Sequence, residues 1–216
     1  MECVEKHTQK VLDRIKERSR KFYTLAHHAQ AHTERVYTLA CRIAEEENAD
    51  QEVVLAAALL HDLARAKEDQ GEISDHAVVG ADIAKRILRE VEFPPHKIRD
   101  VVHCIEVHRF RARLSANTLE AEILQDADRL DILGAIGIAR VFSRGGWSNK
   151  PIYDPEIAPK QKYDGDSLTS VNHILEKLLV VKDTMNTRTG RRIAESRHLF
   201  VELFLERLLK EWNGEL

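Results

Sequence analysis

Residues that favour turns are scarce in this sequence of 216 residues. The 9 glycines and 5 prolines together reach only about half the share found in an average protein. Long apolar runs are missing as well, since the longest, Val53 to Leu60, has 8 residues and a transmembrane helix needs about 20. These shortages favour a helical protein over a turn-rich β-sandwich, and they predict no membrane-spanning segment.

Cysteine is rare and the charge is nearly balanced. The three cysteines, Cys3, Cys41 and Cys104, are widely spaced and form no CxxC pair, so they predict neither a disulfide framework nor a zinc finger. Lys and Arg number 33 against 36 Asp and Glu, a formal net charge of −3 without the basic excess of nucleic-acid-binding proteins. The first residues lack the apolar segment of a signal peptide. We therefore expect a cytoplasmic protein whose partners are neither nucleic acid nor membrane.

Apolar residues recur at helical spacing along most of the chain. Hydrophobic residues make up 43% and charged residues 32%, which is typical of a globular protein with a packed core. Asp50 and either Ser74 or Asp75 are suited to cap helices that follow them. The helical patterns span 4–18, 32–47, 50–64, 75–89, 96–108, 118–142, 170–185 and 189–212. The predicted fold is all-α, a single helical-bundle domain over residues 1–216.

One long segment interrupts this helical pattern. Residues 143–168 contain three of the five prolines together with Gly145, Gly146 and Gly165. Loops of this length in compact domains are usually functional or disordered. We expect a long loop here that covers a ligand, contributes to a contact between subunits of a possible homo-oligomer, or is a disordered excursion.

The strongest local signal is the apolar run that ends in His61 and Asp62. A run that is apolar on all sides of a helix belongs in a core, yet it delivers an imidazole and a carboxylate side by side. A buried carboxylate needs a partner that offsets its desolvation, and a metal ion is one such partner. The alternative is a hydrogen-bonded core histidine followed by a capping aspartate. His32, at the start of a predicted helix, and Asp128, within an apolar helical stripe, are the other candidates.

In order and spacing, these residues resemble the HD-domain metal-dependent phosphohydrolases, whose pattern is a single His, a His-Asp pair and a distant Asp. The contexts around His61-Asp62 and Asp128 strengthen the resemblance, which extends over nearly the whole chain. Further segments, 134–140, 151–154 and 172–178, resemble a microbial subgroup of HD hydrolases described as predicted nucleotide pyrophosphatases. The resemblance implies an all-helical fold and one divalent metal held by His32, His61, Asp62 and Asp128.

This ligand set indicates the class of metal. Two imidazoles and two carboxylates suit manganese, iron, cobalt, nickel or zinc, with magnesium also possible, and they leave coordination positions open for water and a phosphate oxygen. The resemblance also implies roles for His76 and His108, at positions where relatives carry histidines that face the phosphate or bind a second metal. Asp62 is expected to act in catalysis both as a ligand and as a proton acceptor.

Three further residues are candidates for the substrate-binding site. Arg35 lies one helical turn after His32, and Lys177 lies one turn after His173, so each could supply the positive charge that a polyphosphate needs. Asp131 lies three residues after Asp128 and could orient a ligand histidine. For each of the three, a surface position without such a role is the alternative.

The predicted activity is hydrolysis of nucleoside triphosphates to a monophosphate and pyrophosphate. Nucleoside monophosphatase relatives have an acidic residue three positions after the His-Asp pair, where this sequence has Arg65. The alternatives are a nucleoside 5′-monophosphatase, another phosphomonoesterase or phosphodiesterase, and a non-catalytic helical binding module.

Overall fold

The regular secondary structure of the protein is helical. The computed structural model describes residues 5–23, 30–109 and 114–216, and no strand occurs within those ranges. The predicted all-α fold is therefore confirmed. Contacts between residues divide the chain into two compact units, Met1–Asp128 and Arg129–Leu216. The single domain over 1–216 stays a prediction, and each unit is described by itself below.

The first unit contains most of the helices. They are α1 (Lys6–Ser19), α2 (Gln30–Glu47), α3 (Gln51–Leu60), α4 (Arg65–Asp69), α5 (His76–Glu90), α6 (Ile98–Val107) and α7 (Leu119–Leu130), with a short 3₁₀ turn at Arg20–Phe22. The last two residues of α7 continue into the second unit. The bounds agree with most of the sequence patterns, although the predicted start at Val4 lies outside the described residues.

Helix α3 forms the centre of the first unit. Its N-cap is Asp50, as predicted, whose side chain accepts hydrogen bonds from the backbone N–H groups of Glu52 and Val53. All eight residues from Val53 to Leu60 are buried, and α3 packs against α1, α2 and α6. Burying each large side chain contributes about 1.5–3 kcal/mol. The end of α3, where His61 follows, is thereby fixed inside the core.

Helix α7 is tied to the rest of the first unit by polar side chains. Glu120 accepts a hydrogen bond from the backbone N–H of Asp50 at 3.1 Å. The buried Gln125 donates to the carbonyl oxygen of Val107 at 2.7 Å, next to the end of α6. Because Gln125 and Asp128 are one turn apart, this contact sets the position of Asp128 relative to α6.

The second unit is also helical. It contains α8 (Gly134–Trp147), α9 (Ser170–His173), a π-helical turn (Ile174–Leu178), α10 (Leu179–Val181), a 3₁₀ turn (Lys182–Thr184) and α11 (Arg188–Trp212). Helix α11 packs against α8 and α10. The predicted helix over 170–185 is therefore present but changes its winding along its length.

Two predicted boundaries are wrong. The pattern over 118–142 is not one helix, because the chain breaks between α7 and α8 at Gly134, whose φ of +70° lies in the left-handed region. The predicted loop over 143–168 begins only at residue 148, since α8 continues to Trp147. Within that last turn, a Cβ on Gly145 would lie 2.3 Å from the hydroxyl oxygen of Ser170, so a larger residue there would require that hydroxyl to move.

The irregular segment 148–169 is anchored to the helix that follows it. Backbone N–H groups of Ser170 and Val171 donate to the carbonyl oxygens of Pro151 and Ile152 at 3.0 and 2.9 Å. The buried carboxylate of Glu176 accepts hydrogen bonds from the hydroxyl of Ser167 at 2.6 Å and from the backbone N–H of Lys160 at 2.8 Å. The segment therefore has a defined conformation.

Two further expectations from composition can be compared with the structure. Within the described ranges, no helix has both the length and the apolar character that crossing a membrane requires. Cys41 on α2 is disulfide-bonded, whereas Cys104 on α6 is a buried free thiol. The cysteines form no framework of several disulfides, but they are not all free.

Candidate metal centre

The structure brings the four predicted metal ligands together in the first unit. His32 lies in the first turn of α2, His61 and Asp62 directly follow α3, and Asp128 lies on α7. The Nε2 atom of His32 is 3.3 Å from Nε2 of His61 and 3.4 Å from Oδ1 of Asp128. Oδ2 of Asp62 is 3.6 Å from both Nε2 atoms. The four side chains thus converge from three helices.

His76 and His108 join the same cluster. His76 is the first residue of α5, and His108 directly follows α6, so two more helix ends meet here. Their Nε2 atoms are 3.2 Å apart. Oδ1 of Asp62 lies 3.2 Å from Nε2 of His76 and 3.6 Å from Nε2 of His108.

The side chains form two adjacent donor sets. The first triad is His32, His61 and Asp128, the second triad is Asp62, His76 and His108, and within each triad the donor atoms lie within 4.8 Å of one another. One oxygen of Asp62 faces each triad. Either triad could hold a divalent cation, so the single metal of the sequence prediction has two adjacent candidate positions.

The hydrogen bonds of the imidazoles determine which nitrogen is free to bind a metal. Nδ1 of His61 donates to the carbonyl oxygen of Ala58 at 2.9 Å, and Nδ1 of His108 donates to that of Ile105 at 2.6 Å. Nδ1 of His76 donates to the carboxylate of Glu68 at 2.7 Å. In the neutral rings, Nε2 is then an acceptor with a lone pair.

The positions of these lone pairs indicate what the cluster can bind. When both rings of the second triad are neutral, two Nε2 lone pairs and one carboxylate oxygen face one another with no proton between them. Such atoms repel unless a cation or an added proton lies between them. Nitrogen and oxygen donors in this combination suit a divalent transition metal. The donor chemistry of the cluster therefore fits a divalent metal.

The electrostatics favour the metal-binding forms of His61, Asp62 and Asp128. For His108, burial would lower the pKa, but the hydrogen bond and charge of Asp62 raise it. Burial lowers the pKa of His61 to about 4, and neighbouring His108 and His32 lower it further against the charge of Asp62. Burial alone would raise the pKa of Asp62, but the four imidazoles outweigh it and hold the pKa well below its usual value. The pKa of Asp128 is lowered in the same way, chiefly by His32 against the effect of burial. A neutral imidazole and ionised carboxylates are the forms that coordinate a cation.

Sequence analysis missed a group of charged residues beside the second triad. Glu68 accepts hydrogen bonds from His76 and, at 2.9 Å, from Nη2 of Arg109. Arg109 also pairs with Asp75 at 2.9 Å, and its side chain is only 15% exposed. Arg65 pairs with Glu68 at 3.4 Å. Glu68 precedes His76 by eight residues across a turn, so no helical spacing in the sequence connects the two.

The predicted substrate-binding residues lie in both units. Arg35 is partly exposed on α2 of the first unit. In the second unit, the amine of Lys177 lies 5.3 Å above the ring of Tyr163, and the buried carboxylate of Asp131 accepts a hydrogen bond from Arg140. Their contact with a substrate stays a prediction.

His173 shows that the surroundings of Lys177 are strongly positive. Its ring packs edge-on against Tyr163 with centroids 5.3 Å apart. Burial, and then the charges of Lys177, Lys150 and Arg144, lower the pKa of His173 to about 3.

Comparison with known proteins identifies relatives of the whole chain. The Bacillus subtilis protein YpgQ is 36% identical over 200 residues, which cover 87% of this chain and 85% of YpgQ. A crystal structure of YpgQ in complex with ADP matches with a TM-score of 0.75 at 33% identity, covering 94% of this chain and 96% of that chain. An HD-superfamily hydrolase from Bacillus thuringiensis matches with a TM-score of 0.75 at 35% identity, covering 96% and 97%.

A family model described as HD domain matches residues 30–133. That range contains every residue of both triads, so the match covers the cluster that the fold assembles. Together with the identity to YpgQ over most of both chains, it shows that this chain belongs to the HD-domain metal-dependent phosphohydrolase superfamily.

Proposed function

We propose that this chain hydrolyses nucleoside triphosphates to a nucleoside monophosphate and pyrophosphate with a divalent metal. The observation that carries the proposal is the pair of adjacent triads, in which the two carboxylate oxygens of Asp62 face one triad each and the acceptor atoms of each triad face one another. The donor set is consistent with manganese, iron, cobalt, nickel or zinc, and magnesium is possible. The structure of YpgQ with ADP supports a nucleotide as the ligand.

Different residues of the first unit would have different roles in the reaction. His32, His61, Asp62 and Asp128 would hold the cation, which supplies polarisation of a phosphoryl oxygen and a lowered pKa for water. Asp62 would orient the water that attacks the α-phosphorus and accept its proton. The bond from that phosphorus to the bridging oxygen then breaks, and pyrophosphate leaves. His76 and His108 would engage an anionic oxygen only through a shared cation or an added proton, because their Nε2 lone pairs face one another.

A triphosphate needs more positive charge than one cation provides. It carries about four negative charges, whereas the chain has a formal net charge of −3, so cations must be concentrated locally. Arg65 supplies such a charge beside Asp62, whose carboxylate is among the groups that raise the pKa of the guanidinium. Arg35 and Lys177 are proposed to contact the phosphates, and Asp131 to orient a ligand histidine.

Phosphorus NMR of a digest with added manganese tests the proposal. A nucleoside triphosphate should yield the resonances of pyrophosphate and of a nucleoside monophosphate in equal amounts. Asp62→Asn should abolish the turnover, and Asp69→Asn is the matched control because Asp69 lies on α4 and pairs with Arg65 at 3.3 Å.

The same experiment separates the alternatives. Release of inorganic phosphate from a nucleoside monophosphate, with the triphosphate left intact, would show a monophosphatase instead. No turnover of mono-, di- or triphosphates, with retained metal binding, would indicate a binding module.

A further inference from the structure

The imidazoles of His61, His108 and His76 are each oriented by a hydrogen bond from Nδ1, but the acceptors of these hydrogen bonds are of two kinds. His61 and His108 each follow the C-terminal end of a helix, where the last carbonyl groups lack partners within the helix. Their Nδ1 atoms donate to carbonyl oxygens three residues earlier, at Ala58 and Ile105. Each of these histidines is therefore oriented by the helix it ends.

His76 cannot be oriented in that way. It is the first residue of α5, and the start of a helix offers unpaired N–H donors rather than carbonyl acceptors. An acceptor for Nδ1 must therefore come from elsewhere in the fold. Oε2 of Glu68, on α4, provides it at 2.7 Å. Because an ionised carboxylate only accepts, the proton lies on Nδ1 and the lone pair of Nε2 points toward Asp62 and His108.

Glu68 is itself held in place by a guanidinium. Nη2 of Arg109 lies 2.9 Å from Oε1 of Glu68, and Nη1 lies 2.9 Å from Oδ2 of Asp75. Asp75 directly precedes His76, and Arg109 directly follows His108. The fork of one arginine thus connects α4 to the segments that carry both histidines of the second triad.

We infer that Glu68 is a positioning residue for the second triad, which fixes the tautomer and the orientation of His76 so that its Nε2 is available to a divalent cation. Arg109 keeps the carboxylate of Glu68 in place for this task. The inference rests on the proposed function only in naming the cation as the ligand, since the orientation of His76 is a property of the metal-free chain.

Histidine ¹⁵N NMR of the metal-free protein tests the orientation directly. In the wild type, His76 should show a protonated Nδ1 and an unprotonated Nε2, and Glu68→Ala should shift His76 toward a mixture of tautomers. Glu68→Gln retains a neutral acceptor, so it should restore much of the wild-type signal. Asp69→Asn, which removes a neighbouring carboxylate of α4, should leave the resonances unchanged. If Glu68→Ala loses its helical circular dichroism, Glu68→Leu replaces it.

Equilibrium dialysis with Mn²⁺ then tests the consequence for the triad. Loss of a carboxylate that orients a ligand histidine typically weakens metal binding about 10–100-fold. We expect that loss for Glu68→Ala, a smaller loss for Glu68→Gln and none for Asp69→Asn. The inference is overturned if His76 keeps its tautomer in Glu68→Ala, or if the tautomer changes while Mn²⁺ binding does not. A chain that hydrolyses no nucleotide but shows both effects would contradict the proposed function and leave this inference intact.

Discussion

Asp62→Asn changes the point where the two triads meet. The carboxylate oxygens of Asp62 lie 3.2 to 3.6 Å from four imidazole Nε2 atoms. An amide of the same shape presents one neutral oxygen and one NH₂ donor, so the negative charge is lost on both sides and only one side keeps an oxygen ligand. The substitution therefore removes a ligand without creating a cavity.

The expected effect on thermal stability follows from metal binding to the folded chain. At a free metal concentration of 100 times Kd, binding stabilises the folded state by about 2.7 kcal/mol. In a chain of this size, that raises Tm by about 5–11 °C. If Asp62→Asn weakens binding about 100-fold, the same metal concentration contributes only about 0.4 kcal/mol, a shift of about 1–2 °C.

Differential scanning calorimetry measures this difference. Wild type, Asp62→Asn and the control Asp69→Asn are freed of metal with a chelator and heated with and without MnCl₂. The control should keep the full shift in Tm. A full shift in Asp62→Asn would refute the assignment of Asp62 as a ligand, and an equal loss in both variants would show that the effect is not specific to the triads.

The remaining predictions concern stability and substrate binding. Leu55→Ala should lower the free energy of unfolding by about 3–5 kcal/mol in urea titrations, because Leu55 is fully buried in α3, whereas the exposed Val78→Ala should change it by less than about 0.5 kcal/mol. The pKa of His173 is lowered to about 3 in the folded chain, whereas the imidazole of the unfolded chain keeps a pKa of about 6.5. Between about pH 6 and 4 the unfolded chain therefore binds one more proton, and the free energy of unfolding should fall by about 1.4 kcal/mol for each pH unit of acidification. His173→Asn should show a shallower fall, and parallel curves would contradict this. Lys177→Ala should raise KM for a triphosphate about 10-fold with kcat nearly unchanged, while an equal rise in Lys162→Ala would point to a nonspecific charge effect.

Local features of the fold were predictable from the sequence. Asp50 and Asp75 have the side-chain chemistry of N-caps directly before apolar patterns, and both accept the expected backbone hydrogen bonds. The break at Gly134 was not predictable in the same way. The apolar spacing continues through it, and the turn at residues 131–133, the extended backbone of Leu133 and the left-handed φ of Gly134 separate α7 from α8.

The sequence predicted those residues of the site whose types and order match a known family pattern. His32, His61, Asp62 and Asp128 follow a family pattern, and the fold brings them together. Glu68 and Arg109 carry no such pattern, because their roles arise from the tertiary contact between α4 and the ends of α5 and α6. In the sequence, Arg109 alternates with Arg111 and Arg113, a pattern typical of solvated surface, yet two carboxylates hold Arg109 in the structure.

The position of Asp62 between the triads also determines how their affinities are related. An ion that drew in one carboxylate oxygen would fix the direction of the other, so occupation of one triad would change the affinity of the other. Such linkage is reciprocal: whatever factor the first ion applies to the affinity of the second, the second applies to the first. Variants of the histidines can tune one affinity at a time, but any substitution of Asp62 changes both together. The shared carboxylate would thus make metal loading a property of the pair of triads.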